Sequence, residues 1–325
     1  MKLLNAIFHH VRSLGQREVD LSPAVAARRP FLVTGGAATG KTTFLEALIV
    51  AKEAGAPYGL APTAPFRVPG REDGRIVLRW RAERDEHERL RVTDPHVTTT
   101  CTLSVPAPEN IVKSAELRML MGRYDRDRGR FKVEYFHSAR GFDAADRLST
   151  LDFPAAEGAR RLTRHHRKYA WIRRYLEAVA TDEATARSEQ LDERGLLFAS
   201  ARPRVLEGFA SNVATLSPRL RWAGAKRSDG ATQLLFAVKD RGEVELGDLS
   251  DSQRMIVLYA ATIHALGLDA ALVLVDQPEL TLHPEEHVSF LDGLASLVPN
   301  GQIIAATSAP ALLRAAAPEH VHVLS

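Results

Sequence analysis

Apolar residues along the chain fall into short uninterrupted runs and longer amphipathic stretches, which alternate most clearly in the C-terminal third. The runs at 272–275 and 303–306 have the composition of buried strands, and the segments at 251–266, 285–297 and 310–317 have helical spacing of apolar positions. A short apolar run without polar alternation is typical of a parallel strand covered on both faces. The pattern therefore predicts a parallel α/β sheet with helices packed against it.

The N-terminal part shows the two-residue period of antiparallel strands instead. Residues 1–20 predict a strand pair, and Ile76, Leu78 and Trp80 alternate with other residues within a strand-like segment at 75–105. Further strands are predicted at 131–136, 233–238 and 244–246. The predicted organisation has an N-terminal part at 1–142, a charged, glycine-poor helical insertion at 143–210, and a C-terminal part at 211–325.

The composition excludes some classes of protein but does not identify one. A chain of 325 residues with 45% hydrophobic residues can bury a large core, and a net charge of +3 permits a nucleic-acid partner without requiring one. The single cysteine, Cys101, excludes an internal disulfide framework. We find neither the apolar core of a signal peptide nor a run of about 18 apolar residues that could span a membrane. We therefore expect a soluble, cytoplasmic protein.

Residues 35–42 read G-G-A-A-T-G-K-T, a complete Walker A phosphate-binding loop, and they constrain function more than any other segment. The loop follows an apolar run and precedes an amphipathic stretch, which is the context that the motif requires. Lys41 can neutralise phosphate oxygens, and the Thr42 hydroxyl can ligate Mg²⁺. The candidate ATP-binding residues are Gly35, Gly36, Ala37, Ala38, Thr39, Gly40, Lys41, Thr42 and Thr43.

The segment 271–276 has a Walker B pattern, an apolar strand that ends in Asp276. Ligands of open α/β sheets lie at the carboxyl ends of the strands, so this aspartate can hold Mg²⁺ opposite Thr42. An ordinary buried strand could also end in an aspartate. The complete Walker A loop makes the metal-binding interpretation the stronger one.

The segment 249–254, L-S-D-S-Q-R, lies immediately before a predicted helix. One interpretation is an ordinary helix start, with Ser250 or Asp251 as N-cap. The other is a helix N-terminus directed at the γ-phosphate of ATP held by another subunit. Its position shortly before the Walker B strand favours the second interpretation, and makes Ser250, Ser252 and Gln253 candidate nucleotide-binding residues.

Together, these segments and the terminal A-A-T-S-A-P-A-L-L resemble the ATP-binding-cassette (ABC) ATPases, and more closely their soluble non-transporter branch of RecF-like, SMC-like and OLD-type proteins. The specific matches cover roughly 1–50 and 240–325. The resemblance implies a P-loop NTPase fold of the ABC type, with an antiparallel β subdomain and a helical insertion. It also implies a homodimer in which two cassettes enclose two ATP·Mg²⁺ molecules, each signature segment capping the partner's nucleotide.

Three positions and one segment depart from the pattern of that family. Gln277 replaces the glutamate that normally follows the Walker B aspartate, Ser308 stands where a histidine is usual, and Ser252 replaces a common glycine. No glutamine occurs between Thr43 and Thr150, where the family has its Q-loop. An amide can orient water but cannot accept its proton, and loss of a general base typically costs about 10²–10⁴ in rate.

Two hypotheses follow from these departures. In the first, the protein binds ATP·Mg²⁺ and hydrolyses it slowly or not at all, so that ATP clamps a dimer or a partner. In the second, hydrolysis survives with Glu279 as a substitute base. We prefer the first, because Glu279 follows a proline and has its own counterpart in the family pattern. The candidate catalytic positions are Gln277, Glu279 and Ser308.

The basic run at 160–174 is interleaved with aromatic residues. On a continuous helix it would form a stripe that could contact DNA phosphates, made of Arg160, Arg164, Arg167, Lys168 and Arg174. The alternative is a solvated helix face balanced by the acidic segment 181–193, and this alternative is slightly favoured.

The sequence thus predicts an ATP-dependent dimerising regulator with a partner protein, or a DNA-associated machine, and a multi-protein defence system is one setting for either. A nucleotide-locked scaffold subunit is the alternative from another class. A transporter cassette subunit is a third hypothesis, but the missing Q-loop glutamine and the long insertion weigh against it.

Overall fold

The computed structural model describes residues 1–58, 66, 68, 73–90, 94–103, 109–111, 118, 120, 131–142, 144, 162, 164, 168–194, 205–228 and 231–325. Its strands, in chain order, are β1 (Lys2–Val11), β2 (Gly15–Asp20), β3 (Phe31–Gly35), β4 (Arg75–Arg81), β5 (His96–Thr102), β6 (Glu109–Ile111), β7 (Val133–Phe136), β8 (Leu220–Ser228), β9 (Ala231–Val238), β10 (Gly242–Glu245), β11 (Leu272–Asp276), β12 (Gln302–Ala306) and β13 (Val321–Leu324). Its α-helices are α1 (Ser22–Ala27), α2 (Lys41–Gly55), α3 (Arg84–Leu90), α4 (Ile172–Arg194), α5 (Val205–Leu216), α6 (Asp251–Leu266), α7 (His287–Leu297) and α8 (Pro310–Ala315).

A five-stranded parallel sheet lies at the centre of the fold, in the order β13-β3-β12-β11-β7. Successive side chains of a strand point to opposite faces, and both faces are covered here. Val273 and Val275 of β11 belong to one hydrophobic core, whereas Leu272 and Leu274 belong to the other. This two-sided burial explains why β11 and β12 appear in the sequence as uninterrupted apolar runs.

Helix α2 fills the space between the parallel sheet and an antiparallel sheet of order β2-β1-β4-β5-β6. Ten of its residues are buried, because it has a sheet on either side. The burial includes an ion pair within the helix, in which Lys52 Nζ lies 2.8 Å from Glu53 Oε1. Burial lowers the pKa of Lys52 to about 7, although Glu53 opposes this shift.

The other face of the parallel sheet is covered by helices. Helix α5 packs on α6, α7 and β8, and α4 packs on α5, α6 and β9 through residues that include Tyr175 and Leu176. The predicted boundary at residue 210 falls inside α5. Strands β8, β9 and β10 form a third sheet, which is antiparallel.

The architecture confirms the predicted α/β class, the N-terminal strand pair and the antiparallel subdomain. It adds β8, which the sequence analysis missed because few residues of this strand are buried. Within the described part of the chain, no helix is both long enough and apolar enough to cross a membrane.

Candidate functional site

The phosphate-binding loop joins β3 to α2, as its sequence predicts. Gly40 is the N-cap of α2, and its φ of 98° is one that side-chain-bearing residues rarely adopt. A Cβ on Gly40 would lie only 2.4 Å from Ser13 Oγ, and one on Gly35 would lie 2.3 Å from the carbonyl oxygen of Leu324. Glycine is therefore required at both ends of the loop. Between them, residues 36–38 are exposed.

Lys41 folds back over the loop that it follows. Its ammonium group donates hydrogen bonds to the carbonyl oxygens of Gly35, at 2.8 Å, and Gly36, at 2.7 Å. The positive charge is thus held beside exposed backbone N–H groups at the start of a 15-residue helix. This arrangement suits the phosphates of a nucleotide.

Thr42 and Asp276 meet across the site, although they are far apart in the sequence. The Thr42 hydroxyl lies 3.1 Å and 3.0 Å from the two carboxylate oxygens of Asp276. Asp276 is only 2% exposed and ends β11, so its position is determined by the sheet. A hydroxyl beside a carboxylate is a hard-oxygen donor set that fits Mg²⁺. Thr42 and Asp276 are the residues that would hold the metal.

The turn after Asp276 contains an unusual backbone conformation. Gln277 has φ 54°, its side chain is exposed, and its N–H donates to the carbonyl oxygen of Ala306 at 2.8 Å. A residue that the sequence analysis did not single out holds this turn: buried Arg140 donates at 2.6 Å to the carbonyl oxygens of both Asp276 and Gln277.

Arg140 also connects this turn to the helix that follows the candidate signature segment. Its Nε lies 3.2 Å from Met255 Sδ, and its guanidinium group lies 5.3 Å from the ring centroid of Tyr259. Both residues belong to α6. The segment V-E-Y-F-H-S-A-R-G-F loosely resembles the same ABC branch, but this resemblance did not assign Arg140 a role.

Glu279 follows β11 and lies beside the end of the neighbouring strand β12. Its carboxylate accepts hydrogen bonds from the Thr307 hydroxyl at 2.8 Å and from the Ser308 N–H at 3.0 Å. Both carboxylate oxygens are therefore engaged in holding the end of β12. Ser308 itself is exposed beside this strand end.

The segment 250–253 forms the N-terminus of α6. Ser250 is the N-cap, and it forms a capping box with Gln253 through hydrogen bonds of 3.3 and 2.9 Å. Its hydroxyl also lies 3.0 Å from that of Ser252. The local interpretation as a helix start is thus correct. Because Ser250 and Asp251 are exposed, this N-terminus also stays accessible to a second molecule.

The structure corrects the predicted DNA-binding stripe. Lys168 is buried and paired with Glu134 at 2.9 Å, and it also donates to the Tyr135 carbonyl, so it cannot contact DNA. The stripe assumed one continuous helix, whereas residues 168–171 form a turn and α4 begins at Ile172. Arg174 is partly buried, and Arg160 and Arg167 lie outside the described residues.

Arg164, another member of that stripe, lies at the nucleotide site. Its Nε is 2.7 Å from Glu46 Oε1, and its guanidinium nitrogen is 3.9 Å from Asp276 Oδ2. Burial raises the pKa of Glu46, and Arg164 opposes that rise.

His137 is a buried titratable group beside the site. It follows β7 and is fully buried, and among the described residues neither of its ring nitrogens has a hydrogen-bond partner. Burial lowers its pKa to about 3, and the nearby charges of Lys168 and Arg140 act in the same direction. The imidazole is therefore neutral at physiological pH.

The parallel sheet, the phosphate loop and the Thr42–Asp276 pair together define a P-loop ATPase of the ABC type. The chain belongs to the family described as "AAA domain, putative AbiEii toxin, Type IV TA system", whose model matches residues 123–314, more than half of the chain. Members of P-loop ATPase families generally bind ATP with Mg²⁺. The matched region includes the Walker B strand and begins after the Walker A loop. No curated protein matches the chain.

Solved structures of SMC heads share the fold. An SMC head bound to the C-terminal winged-helix domain of ScpA aligns with TM-score 0.56 and 11% identity, covering 100% of this chain and 98% of that one. A head domain bound to the C-terminal domain of ScpA, from Pyrococcus furiosus, aligns with TM-score 0.55 and 12% identity, covering 97% and 91%. The SMC head of Thermotoga maritima aligns with TM-score 0.50 and 13% identity, covering 99% and 94%. This agreement shows that the chain and the SMC heads share a fold.

Proposed function

We propose that this protein binds ATP·Mg²⁺ between its phosphate loop and Asp276, forms a homodimer around the nucleotide, and hydrolyses it slowly. The observation that carries the proposal is the direct contact between Thr42 and Asp276 beside a loop that already holds Lys41 in place. A bound Mg²⁺ would supply charge neutralisation of the phosphates at this pair. ATP would then act as a clamp that controls contact with a partner.

Slow hydrolysis is inferred from the groups around Gln277. The amide at this position can orient a water molecule but has no basicity to remove its proton. Glu279 is the nearest candidate substitute in the sequence, but its oxygens are engaged by Thr307 and Ser308. The exposed Ser308 side chain is short and uncharged, so it would interact weakly with a γ-phosphate.

The dimer is inferred from the accessible N-terminus of α6. The capping box engages the N–H groups of Ser250 and Gln253. It does not use the N–H groups of Asp251 and Ser252, and Ser250 is exposed, so these donors at the partly positive helix end could meet an anion. In the resembling ABC ATPases, that anion is the γ-phosphate on the partner subunit. We assign the same role to Ser250, Ser252 and Gln253 in this protein.

The partner is proposed to be a protein, in a defence system of the kind that the family description indicates. That description names a putative toxin of a type IV toxin–antitoxin system, and two of the similar SMC heads were solved with domains of ScpA. Of the residues predicted to contact DNA, Lys168 is buried and Arg164 faces Asp276. The described residues therefore favour a protein partner over DNA.

Phosphate release tests the proposal directly. The wild-type protein should release phosphate far more slowly than working enzymes, whose turnover is roughly 1 s⁻¹ or more, whereas Gln277→Glu should raise the rate by about 10²-fold if only the general base is missing. Lys41→Ala serves as the control without phosphate binding. Wild-type turnover near 1 s⁻¹ would disprove the clamp, and equal, undetectable turnover in both proteins would support the nucleotide-locked scaffold instead.

A further inference from the structure

Arg164 brings a positive charge from the helical insertion to the Walker B aspartate. Among the described residues, it is the only lysine, arginine or histidine with a nitrogen within 4 Å of the Asp276 carboxylate. Its firmer contact is with Glu46, at 2.7 Å. Glu46 lies one helical turn after Thr42 on α2, so both residues lie on the same side of that helix. Arg164 therefore lies beside the pair that would hold Mg²⁺.

The charges at this point change when a nucleotide binds. The carboxylates of Glu46 and Asp276 both lie beside the guanidinium group of Arg164, which balances their negative charge. A divalent cation on Thr42 and Asp276 would remove the attraction between Arg164 and Asp276 and replace it with repulsion. A triphosphate brings more negative charge than Mg²⁺ and Lys41 neutralise together. The guanidinium group of Arg164, which is always positively charged, would then lie next to the triphosphate.

The guanidinium group of Arg164 is exposed enough to leave the two carboxylates and contact a phosphate instead. The Arg164 side chain is 45% exposed and that of Glu46 is 25% exposed, whereas that of Asp276 is 3% exposed. Arginine donates two parallel hydrogen bonds to phosphate oxygens as readily as to a carboxylate. Mg²⁺ held by Thr42 and Asp276 would serve the terminal phosphates of a nucleotide, so a cation next to Asp276 would lie closer to the γ-phosphate than to the α-phosphate.

We propose that Arg164 is a γ-phosphate sensor: it pairs with the carboxylates of Glu46 and Asp276 and contacts the γ-phosphate of bound ATP, which lets the insertion distinguish ATP from ADP. This inference rests on the proposed function, since it requires nucleotide binding at the same site. It also gives the insertion a role in the nucleotide cycle, because Arg164 belongs to the segment that leads into α4.

The test is a comparison of nucleotide affinities by calorimetry with Mg²⁺, using ADP and the non-hydrolysable imido analogue of ATP. Arg164→Gln is expected to weaken binding of the ATP analogue about 10- to 100-fold, with little change for ADP. Arg164→Lys keeps the charge without the planar fork and should lie between the two proteins. Thermal unfolding of each variant establishes that it is folded.

Two control variants test whether the effect on nucleotide affinity is specific to Arg164. Arg29→Gln removes an exposed arginine that pairs with Asp292, and it should change neither affinity. Glu46→Gln releases Arg164 from its present partner, and it should keep or strengthen the preference for the ATP analogue.

The outcomes separate the two proposals. Equal weakening for both nucleotides, or no weakening, in folded Arg164→Gln would overturn the sensor while leaving the proposed function intact. A wild-type protein that binds neither nucleotide would overturn both. If Arg164→Gln does not fold, Arg164→Lys decides by the same criterion, a loss confined to the ATP analogue.

Discussion

Arg140 stabilises the turn that carries Gln277. Its guanidinium group satisfies the carbonyl oxygens of Asp276 and Gln277, and Gln277 adopts a left-handed conformation that costs on the order of 1–3 kcal/mol outside glycine. The buried charge is itself satisfied by these carbonyls and by that of His137, at 3.0 Å. The backbone conformation of Gln277, next to the Walker B aspartate, thus depends on a side chain that is distant in the sequence.

Replacing Arg140 with methionine should therefore destabilise the protein by roughly 3 kcal/mol, because buried carbonyl groups lose charged hydrogen-bond donors. Urea unfolding measures the change in the free energy of unfolding. The matched control is Arg29→Met, since the ion pair between Arg29 and Asp292 is exposed and should contribute less than about 1 kcal/mol. Similar losses for both variants would contradict the role assigned to Arg140.

His137 makes the stability of the fold depend on pH. Its pKa is lowered to about 3 in the folded protein, whereas an unfolded histidine has its ordinary value near 6.5. Below about pH 6.5 the unfolded chain binds a proton that the folded protein excludes, so stability is lost as pH falls toward 3. The loss from this group reaches at most about 1.4 kcal/mol per pH unit.

The prediction for His137 is tested with His137→Phe, which cannot bind a proton. Its free energy of unfolding, measured between pH 7.5 and 5, should fall less steeply than that of the wild-type protein. The difference in slope is the relevant quantity, because the substitution also changes packing. Identical slopes would show that His137 is not the group responsible.

Between elements, a buried ion pair connects the segment before α4 to the parallel sheet. Lys168 and Glu134 of β7 are both fully buried at the side chain. Removing one partner leaves a buried charge uncompensated, whereas replacing both with apolar residues removes the need for compensation. The pair specifies where the insertion attaches to the nucleotide-binding core.

Lys168→Met alone should therefore destabilise the protein by about 3–5 kcal/mol, and the double variant Lys168→Met/Glu134→Leu should recover most of that loss. A double-mutant cycle in urea, completed with Glu134→Leu, measures the coupling. If Lys168 were a solvent-exposed DNA contact instead, the single variant would change stability by less than about 0.5 kcal/mol.

For the molecule as a whole, the proposed dimer can be tested at the N-terminus of α6. Ser252→Glu places a negative charge in the first turn, where it suits the helix dipole of the monomer but repels a γ-phosphate from another subunit. Light scattering should show an ATP·Mg²⁺-dependent dimer for the wild-type protein and a monomer for the variant. Nucleotide affinity of the monomer should stay unchanged.

The control for the dimer is Ser289→Glu, which makes the same change in the first turn of α7. It should dimerise like the wild-type protein. A Ser252→Glu protein that still dimerises with ATP·Mg²⁺ would mean that this helix end does not face the nucleotide of a partner.

Several features of the molecule could be predicted from local sequence. Gly35, Gly40 and Lys41 lie together in the sequence, and the loop they form requires their own backbone freedom and charge. The runs that became β11 and β12 were recognisable because burial on both faces demands continuous apolar residues. Strand β8 was not recognisable, since its mostly exposed residues leave no such pattern.

Contacts between distant segments could be expected only where a motif linked them. The pairing of Thr42 with Asp276 followed from two known motifs, but nothing in the order of residues placed Arg140 under Gln277 or Arg164 beside Glu46. The basic run at 160–174 looked uniform, although a turn at 168–171 separates residues that a continuous helix would align.

The amino-acid order thus established the phosphate loop, the parallel strands and the altered position at Gln277, because these depend on neighbours within a few residues. Tertiary packing decided which basic side chains are buried, which reach the nucleotide site and which carboxylates are engaged. The physical reason is that the energy of a charge depends on its surroundings. Burial and partners come from segments far apart in the chain, such as β7, the insertion and α2.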